Sequence, residues 1–263
     1  MSFSTAALVA SLMIGLPLSY LGLFVVLRRM AFVGAALGQL ASAGIALGLL
    51  LEMPMVSGAA LVTLAGVIFF SLDRPRRRIP EETWVAVVYS AAGAAGVLLM
   101  NFAPHGEADM MSLLFGNILG FDPADIVPMA LVLGAVCLVQ VLFLKEFLLV
   151  AFDSETARVL GYRVGLWNFF FFFSLGVAIT AAIRVAGVLL VFSYLIFPPI
   201  IGLLLGRRWL SSSVISVLAG ALASGLGVFA SLHWDLPTGS TIVAMNFALT
   251  LLALAGWKAT GSH

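Results

Sequence analysis

A few polar side chains stand inside long apolar runs of this 263-residue chain. They are Gln39, Ser42, Ser193, Tyr194 and Asn246. An amide or hydroxyl at such a depth either forms a hydrogen bond across a helix interface or faces a wet cavity. Because the sequence offers none of the five an obvious partner, they are predicted to line a translocation path through an apolar layer.

Groups that can ligate a metal ion lie instead in short gaps between the apolar runs. His105, Glu107 and Asp109 share one gap, and His233 and Asp235 share another. Carboxylates and imidazoles suit divalent ions, but solvated loops commonly carry them, so these are weak metal candidates. No Asp, Glu or His lies in the middle of an apolar run, which argues against a carrier driven by an ion gradient. No cluster of nucleophiles and acids indicates a membrane-embedded enzyme.

The elements that must position these residues are long apolar helices. Hydrophobic residues make up 62% of the chain and charged residues 10%, which is more apolar than a soluble core of this length requires. A membrane-spanning helix needs about 17 to 25 apolar residues. We therefore predict an all-α, polytopic transmembrane helical bundle in a single domain over residues 1-260, with 261-263 read as a tag remnant. The predicted spans, about nine, lie near 6-27, 33-51, 56-72, 84-101, 126-145, 166-182, 187-206, 213-233 and 241-257.

The distribution of cations predicts how the bundle is oriented. All but one of the 13 Lys and Arg residues fall in alternate gaps, from Arg28 and Arg29 to Lys258. Cytoplasmic loops are rich in Lys and Arg, so these gaps are predicted to face the cytoplasm, with the N-terminus outside and the C-terminus inside. The exception, Arg184, either reaches the membrane surface or faces inward, where it would favour an anionic chelate over a bare cation.

Two proline-containing segments are candidate gates. Pro198 and Pro199 stand together inside an apolar span, where they remove two backbone donors and break the helical ladder, as a gate or as a plain packing kink. The turn before the last span contains Asp235, Pro237 and Gly239, which are candidates for an outer gate.

Residues 151-165, AFDSETARVLGYRVG, predict a short cytoplasmic helix between two spans. Asp153 is placed to cap its first turn, and Gly161 is placed to end it. Phe152, Ala157 and Leu160 would give it an apolar face that a cytoplasmic partner receives, or that rests on the lipid surface.

Several segments together resemble the integral-membrane permeases of bacterial ABC importers for zinc, manganese and related divalent metals, the ABC-3 type. They keep their order over almost the whole chain. The segments are FVVLRRMAFVG (24-34), GIALG (44-48), LLFGNILGFDPADI (113-126), AFDSETARVLG (151-161), RVAGVLLVFSYLIFPP (184-199) and DLPTGSTIV (235-243).

The resemblance implies a type II ABC importer-like assembly in the bacterial inner membrane. Two permease copies would enclose the path, with two cytoplasmic ATPase subunits and an extracytoplasmic substrate-binding protein, and with no nucleic acid. The permease would be non-catalytic and without a cofactor, since it has no GxxxxGK[ST] phosphate loop, and ATP and Mg would bind to the ATPase. Coupling to the ATPase would fall on Phe152, Asp153, Glu155, Ala157, Arg158 and Gly161.

The second span departs from the pattern of the family. Members that move zinc or manganese usually carry Asp and His four residues apart after the RRMxFxG motif, and here these positions hold Ala35 and Gln39. An i,i+4 pair converges on one ion, so that ligand pair is missing. The alternatives are an ion bound elsewhere, a metal chelate or small organic solute that needs no bare-metal ligands, or a path that only gates while the binding protein selects.

Overall fold

The computed structural model describes residues 3–72, 80–102 and 126–259, and every regular element within these ranges is an α-helix. This confirms the all-α prediction. The predicted metal candidates His105, Glu107 and Asp109 and the remnant at 261-263 lie outside the described residues. The helices are α1 Phe3–Leu27, α2 Ala31–Leu50, α3 Met55–Ser71, α4 Glu81–Asn101, α5 Ile126–Leu142, α6 Leu144–Phe152, α7 Ser154–Val159, α8 Val164–Leu205, α9 Trp209–Trp234 and α10 Thr238–Ala259.

The number of membrane crossings depends on how three of these elements are counted. Within the described ranges, 6 helices are long and apolar enough to cross a membrane, or up to 7 if α5 and α6, bent by 70°, form one broken span. The apolar helix α3 is shorter, with 17 residues. The predicted figure of about nine is reached only if α3 and both halves of α8 are counted as crossings.

Helix α8 folds back on itself. Its 42 residues would extend about 63 Å if straight, twice the thickness of a hydrocarbon core of about 30 Å. Asn168, near the start of α8, forms a hydrogen bond with Arg28, which directly follows α1. Pro199, near the end of α8, packs against Gly22 of α1. Two parts of α8 that are 31 positions apart in sequence therefore lie beside one short stretch of α1.

The reversal occurs at Gly187, whose φ of 74° and ψ of 164° interrupt the helical backbone. Glycine reaches this conformation readily because it has no Cβ atom. Residues 188–205 remain helical through Pro198 and Pro199, so the two prolines remove ladder hydrogen bonds without ending the helix. The two segments of α8, 164–186 and 188–205, correspond to the predicted spans at 166-182 and 187-206.

Three of the cationic gaps meet at one end of the bundle. The ring of Phe24 in α1 lies 4.7 Å from that of Trp209 at the start of α9 and 6.4 Å from that of Phe147 in α6. We call this the cationic end, because the residues at or beside these helix ends include Arg28, Lys145, Arg163 and Arg208. The clustering agrees with the predicted alternation of charge, while the direction in which this end faces stays a prediction.

Candidate translocation and coupling sites

Ser193 and Asn246, which were predicted to line a path, are paired with each other. The Asn246 side-chain amide donates to the Ser193 hydroxyl over 3.0 Å, between α8 and α10, and both residues are buried. The other amide atom, Oδ1 of Asn246, has no hydrogen-bond partner within the described ranges. The reason for choosing them, the lack of a partner, is therefore wrong, and their place on a path stays a prediction.

Tyr194 has a partner too. Its hydroxyl lies 2.5 Å from the Ser224 hydroxyl of α9, which itself donates to the carbonyl of Gly220 over 2.8 Å. Because the Ser224 proton is used there, Tyr194 is the donor between the two hydroxyls. With a side chain that is fully buried, Tyr194 joins α8 to α9 inside this chain.

Gln39 and Ser42 differ from these three residues. Both are partly exposed on α2, and the side chain of neither forms a hydrogen bond in the part of the chain that the structure describes. The Gln39 side chain lies beside Gly93 of α4, where its Oε1 is 3.5 Å from the position that a Cβ would take. One turn before it, Ala35 is buried. Gln39 and Ser42 thus keep the property for which they were chosen.

Both candidate gates are packed closely. Pro198 and Pro199 are buried, and Gly22 of α1 lies against Pro199. In the turn of the outer gate, the Ser231 hydroxyl donates to the carbonyl of Leu236 over 2.7 Å and lies 2.8 Å from the hydroxyl of Thr238. Of the predicted outer-gate residues, Asp235 and Pro237 are exposed and Gly239 is buried. Nothing in these contacts tests a gating role.

Helix α9 ends on a residue in the left-handed conformation. Asp235 has a φ of 54°, and the amide of Leu236 bonds to the carbonyl of Ser231 over 3.0 Å, which closes a Schellman turn. The exposed ring of His233, in the last helical turn, stacks on Phe229 at a centroid distance of 6.1 Å. Among the described residues, no group of at least three His, Cys, Asp or Glu side chains converges.

The short helix α7 forms as predicted from its caps. The amide of Thr156 donates to Asp153 Oδ1 over 2.9 Å, and the Thr156 hydroxyl donates to the other carboxylate oxygen. These bonds, first that of the hydroxyl and then that of the amide, lower the pKa of Asp153 below its ordinary value. At the other end, Gly161 has a φ of 86°, and Tyr162 donates its amide to the carbonyl of Ala157 over 3.0 Å.

Of the three residues predicted to form the outward apolar face, Phe152 and Leu160 are exposed and Ala157 is not. Ala157 is 0% exposed and packs in a cluster with Val150 and Val164, so it cannot contact another protein. Phe152 is 68% exposed and Val159, which the sequence reasoning missed, is 88% exposed. Gly161 marks the end of α7 but not which side of the helix faces inward, which is decided by the packing of Ala157 against Val150 and Val164.

Comparison with known proteins decides what kind of chain this bundle is. A family model described as the ABC 3 transport family matches residues 1–256. The chain belongs to the ABC 3 transport family. It is therefore a multi-pass membrane permease of an ABC transporter, as the six quoted segments indicated.

Relatives of this ABC 3 family chain are similar over nearly its full length. It is 29% identical over 255 residues to the manganese transport system membrane protein MntB of Synechocystis, covering 97% of this chain and 83% of that protein. It is 29% identical to the chelated iron transport system membrane protein YfeD of Yersinia pestis, covering 96% of this chain and 84% of that protein. The solved structure of PsaBC from Streptococcus pneumoniae in complex with Fab is similar with a TM-score of 0.86 at 26% identity, covering 96% of this chain and 91% of that chain.

Proposed function

We propose that this ABC 3 family permease is the membrane-spanning subunit of an ATP-driven importer that moves a divalent metal or metal complex into the cytoplasm. The family match over residues 1–256 carries the proposal. The named cargoes of two relatives, manganese and chelated iron, support a metal as the substrate.

The proposed importer contains two copies of this chain, two cytoplasmic ATPase subunits and an extracytoplasmic binding protein. ATP and Mg bind to the ATPase, and this chain itself catalyses no reaction. It lies in the bacterial inner membrane with its N-terminus outside and its C-terminus in the cytoplasm. The cationic end supports this orientation, because Lys and Arg accumulate on the cytoplasmic side.

The exposed surface of α6 and α7 is proposed to contact the ATPase. Phe152, Val159 and Leu160 give it three apolar side chains that the rest of the described chain leaves uncovered. The capped backbone from Asp153 to Gly161 holds these side chains on a rigid element. Movement of the ATPase would then displace α7 as one body.

A second candidate is a permease for a metal chelate or a small organic solute. Ala35 and Gln39 favour it, because the first is buried without a ligand atom and the second offers only a neutral amide. Neutral groups stabilise a bare divalent ion less than a carboxylate and an imidazole do.

The deciding experiment is uptake into proteoliposomes that contain this permease, its partner ATPase and the binding protein. Uptake of free Mn²⁺, Zn²⁺ or Fe²⁺ is compared with uptake of the same metals as chelates, with and without ATP. Uptake without the ATPase or without nucleotide contradicts an ATP-driven importer. Uptake of a free ion as fast as its chelate contradicts the second candidate.

The coupling surface is tested in the same vesicles. Replacing both Asp153 and Arg158 by Ala is expected to lower ATP hydrolysis coupled to transport, because the N-cap and one cation of α7 are lost. Coupled hydrolysis at the full rate would rule out a role for these two residues.

A further inference from the structure

The side chain of Arg28 turns into the protein instead of into water. Its Nη1 donates to Asn168 Oδ1 in α8 over 2.9 Å, and Nη2 makes a long contact of 3.5 Å with the carbonyl oxygen of Phe147 in α6. The guanidinium also lies 4.1 Å from the ring centroid of Phe171. The neighbouring Arg29 is exposed, so the two adjacent cations have different surroundings.

The surroundings of this guanidinium hold it tightly. Phe147 and Phe171 are buried core residues, and Nε of Arg28 is buried with no partner among the described residues. A partly buried cation such as Arg28 depends on the few partners it has, because removing one leaves a partly desolvated charge without that partner. Among those partners, Asn168 supplies the one side-chain acceptor, which a substitution can remove, whereas the acceptor at Phe147 is a backbone carbonyl.

Arg28 joins the two parts of the chain that an importer must move together. Phe147 belongs to α6, which runs directly into α7 and its exposed surface. Arg28 lies between α1 and α2, and α2 carries Ala35 and Gln39. The side chain of Arg28 therefore gives a shift of α6 a direct route to the turn between α1 and α2.

The turn that carries Arg28 is itself constrained. The residue after it, Arg29, has a φ of 57°, and the amide of Met30 bonds to the carbonyl of Val25 over 3.1 Å. This is the hydrogen-bond pattern of a Schellman motif, which fixes the exit from α1 and the start of α2. A force on the Arg28 side chain is thus passed to both helices.

We propose that Arg28 is a positioning residue that transmits movement of α6 and α7 to the turn between α1 and α2 through its contacts with Asn168 and Phe147. The inference rests on the proposed function, because it needs an ATPase that moves α7. It assigns coupling to a residue outside the ATPase-contacting surface.

The test uses the reconstituted importer and compares two changes at Asn168. Asn168→Leu removes the acceptor and keeps the branched shape, and we expect uptake per ATP hydrolysed to fall about tenfold, the size of change that the loss of one hydrogen bond to a charged group makes in an equilibrium. Asn168→Asp keeps the acceptor and is expected to retain coupling.

Arg28→Met should lower coupling as much as Asn168→Leu does, and the double variant should lose little more coupling than either single variant. Arg29→Ala, which removes the exposed cation of the same turn, is the control and should couple normally.

Two outcomes would overturn the inference. One is a normal ratio of uptake to hydrolysis in Asn168→Leu. The other is an equal loss in Asn168→Leu and Asn168→Asp together with loss of the assembled complex in detergent, which indicates a structural role alone. If the unchanged importer shows no ATP-dependent uptake, the proposed function itself fails, and the inference falls with it.

Discussion

Gly22 of α1 lies against the carbonyl oxygen of Leu195 in α8, the acceptor that loses its helical donor because residue 199 is proline. A Cβ at Gly22 would lie 2.6 Å from Pro199 Cγ and closer still to that oxygen. The carbonyl oxygen left without its helical donor is thus covered by another helix. This arrangement favours a packing role for the proline pair.

Gly22→Ala is therefore expected to destabilise the contact between α1 and α8. The added methyl group meets backbone atoms, which cannot move aside as a side chain can, and overpacking of this kind costs about 1 to 3 kcal/mol. The thermal midpoint of the purified permease in detergent measures the loss. Gly225→Ala in α9 is the matched control, since no atom lies within 4 Å of its new Cβ and it should be neutral or slightly stabilising. Equal midpoints for the two variants would contradict this reading of the contact.

Asp153→Ala should loosen α7. It removes the acceptor of the Thr156 amide, and we expect hydrogen exchange at that amide to become about fivefold faster. Asp153→Asn keeps an acceptor and should preserve most of the protection. Unchanged exchange in Asp153→Ala would show that packing of Ala157 alone holds the helix.

The same cap should depend on pH in a defined direction. Because the pKa of Asp153 is lowered in the folded chain, its contribution is complete above the ordinary pKa of an aspartate and is lost as the pH falls through the lowered pKa. Thr156 protection, corrected for intrinsic exchange, should therefore decrease in acid in the unchanged chain and stay level in Asp153→Asn. A parallel decrease in both would assign the effect to another group.

Cysteine labelling can separate the outward and inward faces of α7. In a Cys137→Ser background, Phe152→Cys should react quickly with a water-soluble maleimide, and Ala157→Cys should not, because the first position is exposed and the second is buried. Addition of the ATPase subunit should protect position 152. Labelling at 152 that is unaffected by the ATPase would argue against a contact there.

The pair of Tyr194 and Ser224 should respond unequally to deletion of either hydroxyl. Tyr194→Phe leaves Ser224 bonded to Gly220, so the expected cost in unfolding free energy is about 1 kcal/mol. Ser224→Ala strands the fully buried Tyr194 hydroxyl and should cost about 1 to 3 kcal/mol. Denaturation of the permease in detergent compares the two, and the reverse order would contradict the assigned donor.

Features that depend on residues close together in sequence could be predicted correctly without the structure. The lengths of the apolar runs predict the helices, because a membrane-spanning helix depends only on its own run of apolar side chains. Asp153 and Gly161 mark the ends of α7, because a cap acts on amides and carbonyls within one turn. The quoted segments also point to the right family, since they preserve local motifs in order.

Contacts between distant segments were decided by the tertiary structure alone. The partner of Asn246 is 53 positions away and that of Tyr194 is 30 positions away, so no local pattern announces them. Likewise, only packing against Val150 and Val164 turns Ala157 inward. Periodicity tells which residues are apolar, but the neighbour that covers each one depends on how the helices are arranged. Because of that arrangement, α8 reverses direction at Gly187 and its proline pair packs against α1.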